Sequence, residues 1–230
     1  MVKKIWLCLI CFLIISFWLC SFAINNLDFK GFIADEANIL SKDVKTNLNM
    51  TLWDLQKKSG ADIAVVILPS LNGRTVENVA IDIGRSYKIG SKRKNNGVVF
   101  LTALNEHKMR IEIGTGLENK IKISDLNEIR DYDIIPYYKE GDYEKGISRG
   151  TYRLADLVAE AEGVGISIQG TCPPRNCCRT RSSKDMPWWC YVLALILAPF
   201  SSRKRRGGMS SFGGFGGGGG FGGCGCSGSW

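Results

Sequence analysis

The sequence predicts an α/β domain running from about Gly31 to Gly163, with a small central sheet covered by helices on both faces. Three observations carry this. Ile63 to Leu68 and Val98 to Leu101 are continuous apolar runs too short for helices and typical of buried strands. Segments with helical apolar spacing alternate with them, and strands alternating with helices build a sheet with two covered faces. A run alternating at Met109, Ile111 and Ile113 follows the second strand across Asn105-Glu106-His107, so the two read as a buried strand paired with a half-buried one.

The elements follow in order. Ser41 is placed to cap a helix with Val44, Leu48, Leu52 and Leu55 on one face, ended by Ser59-Gly60. Pro69 stops the strand that begins at Ile63. Thr75 caps a second helix carrying Val76, Val79, Ala80, Ile83 and Tyr87. The strand pair comes next and empties into Gly114-Thr115-Gly116, where two glycines allow a ligand or partner to approach main chain. Ser124 starts a third helix running through Ile129 toward Pro136, and Asp142 caps a fourth carrying Tyr143, Ile147, Leu154, Leu157 and Ala161.

The charge sits at the ends of the chain. From Ile24 to Gly165 there are 20 basic and 21 acidic residues, whereas the whole chain carries +8. A nucleic-acid binder would hold its basic surface on the folded domain, so this distribution excludes that class and points to membrane topology. Residues 1–23 have the parts of a signal peptide: Lys3 and Lys4, an apolar stretch from Ile5 to Leu19, and Ser21-Phe22-Ala23 as a cleavage site. After a linker at 164–186, a second apolar segment at 187–202 precedes Arg203-Lys204-Arg205-Arg206. Its fourteen-residue apolar core, Pro187 to Phe200, would rise about 21 Å as a helix against a hydrocarbon thickness of about 30 Å. It reads as a short transmembrane stop-transfer segment, with an interfacial stretch as the alternative.

Residues 203–230 combine the basic cluster with a Gly-rich tail, which this composition predicts to be disordered. None of the nine cysteines lies between Ser21 and Thr171, so the domain does not depend on disulfides. Cys172, Cys177 and Cys178 fall in the linker, and Cys224 and Cys226 supply two thiols, an incomplete metal site. The expected layout is a single-pass membrane protein after signal cleavage, with the domain extracytoplasmic and the tail cytoplasmic.

Four blocks taken together resemble the TPM domain family over about residues 32–162. They are Phe32-Ile33-Ala34-Asp35-Glu36-Ala37-Asn38-Ile39-Leu40-Ser41; Lys88-Ile89-Gly90-Ser91-Lys92 with Asn95-Asn96-Gly97-Val98; Arg110-Ile111-Glu112-Ile113-Gly114-Thr115-Gly116-Leu117-Glu118; and Gly141-Asp142-Tyr143. The resemblance implies an α/β/α sandwich on the extracytoplasmic side with an acidic pocket near the strand ends. Plant thylakoid relatives imply acid-phosphatase activity, and other members imply calcium binding. Asn95 and Asn96 stand where many members have Asp, which lowers the charge available to a cation.

Asp35 and Glu118 are the candidate calcium ligands, because loop carboxylates that converge suit a hard cation. Asn95, Asn96, Gly97, Glu112, Gly114 and Gly116 would form the pocket loop around them. Glu112 alternates with Ile111 and Ile113 and therefore lies on the opposite strand face, with pairing to Arg110 or Lys108 as its structural role. Asp142 is better placed as a helix cap than as a ligand. No nucleophile and base stand together, and His107, the only histidine, falls in a hairpin turn. The reading is a binding or scaffold module in envelope or membrane-protein maintenance, partnered by the membrane and an envelope protein rather than nucleic acid. A phosphatase-like hydrolase using the acidic pocket is the alternative.

Overall fold

The computed structural model of the protein describes residues 27–167 and 215–230. The signal-like segment, most of the linker with Cys172, Cys177 and Cys178, the apolar segment at 187–202 and the basic cluster lie outside these residues. The two described stretches belong to one compact unit. Its centre is a five-stranded sheet in the order β1 (Ile33–Asp35), β2 (Asp62–Leu68), β3 (Gly97–Ala103), β4 (Lys108–Gly114) and β5 (Phe221–Ser229). The first three strands are parallel, and β4 and β5 each run antiparallel to their neighbour.

Register separates the side chains into two faces. Ile33, Val65, Phe100 and Ile111 are successive partners across the sheet, as are Ile63, Val98 and Ile113, and these point to one side. Ala34, Ala64, Val66, Val99 and Leu101 point to the other. Both sets are buried, so strands β2 and β3 carry continuous apolar runs rather than alternation. The expected mixed α/β fold with helices around a small sheet is what the chain forms.

Helix α1 (Lys42–Ser59) begins at Ser41, whose hydroxyl accepts from the Val44 amide, and ends at Gly60 with φ of 73°. Leu48, Leu52 and Leu55 are buried from it, as their spacing predicts. Helix α2 (Val76–Ser86) begins at Thr75, which accepts from the Asn78 amide, and packs Val76, Val79, Ala80 and Ile83 into the core containing Ala64, Val66, Val99 and Leu101. The third predicted helix is a composite: α3 (Ile123–Glu128), a π-helical segment (Ile129–Ile134), and α4 (Ile135–Lys139). It starts without a side-chain cap, so Ser124 is not the cap the sequence suggests. Pro136 stands just beyond the wide turns, where an α-helical ladder would lack its amide. Helix α5 (Tyr143–Glu162) is capped by Asp142, which accepts from the Lys145 amide, and ends at Gly163.

The largest departure from expectation is at the C-terminus. Phe221–Ser229 is not disordered but forms β5, the edge strand beside β4. Glycine contributes no β-propensity of its own, so the order comes from what the strand docks against. A tail held in this sheet and a tail across a membrane from the domain are mutually exclusive arrangements of one molecule. Among the described residues, no helix is long and apolar enough to cross a membrane.

Candidate functional site

The structure separates the two proposed calcium ligands. Asp35 ends β1, level with Ile67 and Thr102, while Glu118 follows the end of β4, beyond the level of Val98. With three strand spacings between them and about five residues along the strands, they stand roughly 20 Å apart. The expected convergence of Asp35 with Glu118 is therefore corrected: parallel β1 and antiparallel β4 carry their last residues to opposite ends of the sheet. Asp35 has local work, accepting from the Ile39 and Leu40 amides and pairing with Lys45 at 2.8 Å. Among the described residues, no three His, Cys, Asp or Glu side chains converge as a metal site would require.

The remaining pocket-loop residues do come together at the Gly97 and Gly114 end. The Asn95 carbonyl accepts from the Gly116 amide, and a Cβ on Gly114 or Gly116 would collide with the Asn95 or Lys94 carbonyl. Asn96 is fully buried and accepts from the Ser91 amide, while its Nδ2 finds no partner among the described residues. Close packing of two loops explains these glycines, and the gap a ligand would need is filled by the tail. The Gly220 carbonyl accepts from the Thr115 amide, and Gly222 lies against Glu118.

Asp62, Glu77, Arg85 and Arg130, which the sequence did not single out, build the rest of the site with Arg110. Asp62, buried at the start of β2, accepts from the Gly90 amide at 3.0 Å, from the Gly216 amide at 2.7 Å and from Gln56 at 2.7 Å. Arg85 of α2 donates to the Phe221 carbonyl at 2.7 Å. Arg110 of β4 donates to the Gly223 carbonyl at 3.0 Å and to the Ser227 hydroxyl at 3.1 Å. Arg130 donates to the Ser227 carbonyl at 2.9 Å, and that residue's hydroxyl donates to Glu77 at 2.6 Å. Three arginines on three elements thus satisfy carbonyls or a hydroxyl of one extended segment. Arg110 belongs to a block the sequence singles out, whereas Arg85 and Arg130 each read in sequence as an ordinary surface charge and are marked only by convergence in space.

Apolar contacts fix the two ends. Phe221 is buried over Gly84 of α2, where a Cβ would come within 2.6 Å of its ring. Trp230 packs its ring against Tyr138, Tyr143 and His107, and its amide donates to the His107 carbonyl. Between them, a Cβ on Gly225 would meet the Ile111 carbonyl at 2.0 Å. Glycine is required there by close approach.

The charges of this groove are paired, buried at Arg110 and Glu112 and partly exposed at Glu77 and Arg130. Glu112 is fully buried and holds Arg110 through two hydrogen bonds to one oxygen, at 2.6 and 3.0 Å. Its face is the one the alternation predicts, its partner is Arg110, and the pair is buried. The other oxygen, Oε1, has no hydrogen bond of good geometry among the described residues, although the Gly223 amide is near enough to the carboxylate to favour its charged form. Burial pushes the Glu112 carboxyl above its ordinary value, and the neighbouring guanidinium reverses only part of this. The Ser227 hydroxyl holds Glu77 below the usual carboxylate range against a smaller effect of burial. Burial pushes the free Cys226 thiol up to about 11, which suits an inert packed side chain rather than a nucleophile or metal ligand.

The fold and this groove define an α/β domain that holds an extended segment at its sheet edge and has no assembled catalytic constellation among the described residues. The family model for the TPM domain matches residues 33–157, more than half of the chain, and the chain belongs to that family. The N-terminal domain of a protein from P. gingivalis, solved by NMR, is similar at 25% identity and a TM-score of 0.52, covering 58% of this chain and 85% of that one. The BA42 protein of the psychrophilic bacterium Bizionia argentinensis matches at 18% identity and a TM-score of 0.48, covering 56% of this chain and 87% of that one. No curated protein matches the chain. The family match ends at residue 157, so the C-terminal strand lies outside it.

Proposed function

We propose that this chain is an extracytoplasmic, membrane-associated TPM domain that works as a binding or scaffold module in envelope or membrane-protein maintenance. The observation that carries the reading is the groove beside β4, where Arg85, Arg110 and Arg130 are spent on main chain and a hydroxyl rather than aimed at a reacting atom. General acid–base or nucleophilic chemistry needs groups within hydrogen-bond reach of one another and of an open position. His107 stands instead in the β3–β4 turn with its ring against Trp230. The calcium-dependent form of the proposal loses its Asp35–Glu118 pairing through their separation, leaving Glu118 near Glu112 and beside the tail.

Membrane association rests on the sequence of the ends: the signal-like residues 1–23 and the short apolar segment at 187–202. The paired tail favours the interfacial alternative for the latter, with domain and tail on one side of the membrane. A tag after Trp230 and the domain would then show the same protease sensitivity in spheroplasts. Digestion of the domain with a protected tag would restore a spanning segment.

Turnover distinguishes the module from a hydrolase. The full chain is expected to hydrolyse a phosphomonoester, with or without millimolar calcium, far below ordinary enzyme rates of about 1 per second or more. Activity at that level, abolished by Asp35→Asn or Glu118→Gln in a folded chain, would establish the phosphatase reading instead.

A further inference from the structure

The groove is more specific than a bare sheet edge. It offers the side of β4 that pairs with β5, three arginines, an acceptor carboxylate at Glu77, a slot at Gly84 for one aromatic ring and an aromatic cluster at Tyr138, Tyr143 and His107 for a second. The segment that fills it, Phe221–Trp230, has an aromatic residue at each end and glycine where the backbones press together. Strand addition of this kind takes affinity from main-chain hydrogen bonds and specificity from pockets for the side chains. Neither requires that the strand belong to the same molecule.

We propose that the β4 edge and the adjoining face of α2 form a receptor groove that takes the C-terminal segment Phe221–Trp230 of a second copy of this chain as well as its own, joining copies through their tails. The binding-module reading gives this exchange its purpose. Its test is separate, because association of copies reads strand docking directly and a phosphatase assay does not.

The length of the connection supports exchange. Residues 168–214 separate the described domain from the described tail. A connection of 47 residues is long enough to reach a neighbouring copy, and a tether of this kind sets an effective concentration on the order of 1 mM for the chain's own tail. A tail docked about nine-tenths of the time under that condition binds a separate groove with a Kd no weaker than about 100 µM. Copies confined to a membrane surface reach comparable local concentrations, so a second copy competes with the tether. Identical groove and tail on every copy allow a closed reciprocal dimer, or an open chain where the exchange is not reciprocal.

Two full-length variants in detergent test this. Gly225→Val leaves the groove intact but puts a side chain against the Ile111 carbonyl, and Gly84→Leu fills the Phe221 slot while leaving the tail intact. Each variant alone is expected to sediment as a monomer. Mixed at about 100 µM each, roughly two-fifths or more of the chains should form 1:1 pairs, since only one combination of groove and tail remains functional. Absence of pairs in the mixture, with both variants folded by circular dichroism, overturns the proposal. Pairing by either variant alone overturns it too, because the contact would then lie elsewhere. If either variant fails to fold, the wild-type chain is titrated with a fluorescent peptide of sequence Phe221–Trp230. Anisotropy should rise as the peptide displaces the tail, and a peptide carrying Gly225→Val should not bind. Equal binding of the two peptides, or none at millimolar peptide, overturns the proposal.

Discussion

Strands β3 and β5 lie in one sheet, one strand apart, and owe their order to opposite causes. Strand β3 is Gly-Val-Val-Phe-Leu-Thr-Ala, every residue buried, and its own side chains supply the burial that holds it. Strand β5 is Phe-Gly-Gly-Cys-Gly-Cys-Ser-Gly-Ser, with only Phe221 and Cys226 buried. It loses the most backbone freedom on ordering and brings the least apolar surface in return. What holds it belongs to other elements: the guanidinium groups of Arg85, Arg110 and Arg130, the open edge of β4, and the clefts under Phe221 and Trp230. A strand can therefore be written in its own residues or in those of its receptor.

The contrast is broken most strongly from the β3 side. Phe100 is fully buried against the α5 surface at Gly150, so Phe100→Ala should cost about 3–5 kcal/mol and lower the chemical-denaturation midpoint of the whole domain. A loss confined to the tail amides would mean that β3 is not the self-specified strand. On the β5 side, Phe221→Ala removes one buried ring, worth about 2 kcal/mol or roughly thirty-fold in docking. Hydrogen exchange should then quicken at 221–229 and leave α1, β2 and β3 protected. Uniform loss of protection would make the tail an integral strand and end the distinction.

A cap mutation should fall between regions and behave like β3. Ser41→Ala removes the acceptor of the Val44 amide and should cost about 1 kcal/mol in global unfolding without altering tail exchange. The smallest expected effects are on pH, and they have opposite signs. Glu77 is depressed in the folded state, so its contribution is present above the ordinary value of 4.5 and lost as pH falls through the lower folded value. Glu112 is raised, so its contribution is complete below 4.5 and lost as pH climbs from there through the higher folded value. The advantage of wild type over Glu77→Gln should shrink on acidification, whereas wild type should lose stability relative to Glu112→Gln on going from about pH 4 to 7. Parallel slopes in the two differences would contradict the assigned environments.

Elements whose burial is encoded locally are legible in the chain's own residue pattern. Apolar spacing placed α1, α2 and α5, and continuous apolar runs placed β2 and β3. Ser41, Thr75 and Asp142 marked helix starts because a capping side chain acts within three residues of itself. Four short motifs in order were enough to indicate the family, and alternation put Glu112 across from Ile111 and beside Arg110. Tertiary structure decided the rest. Asp35 and Glu118 look alike as loop carboxylates, and only strand order and direction put them at opposite ends of the sheet. Asp62, Glu77, Arg85 and Arg130 carry no local sign of their shared task, since the tail that unites Arg85 with Phe221 and Glu77 with Ser227 is more than a hundred residues away. The tail's glycines predicted disorder because that argument counts only what a segment can bury on its own. Its order comes from an edge, three guanidinium groups and two aromatic clefts that exist only once the domain has folded.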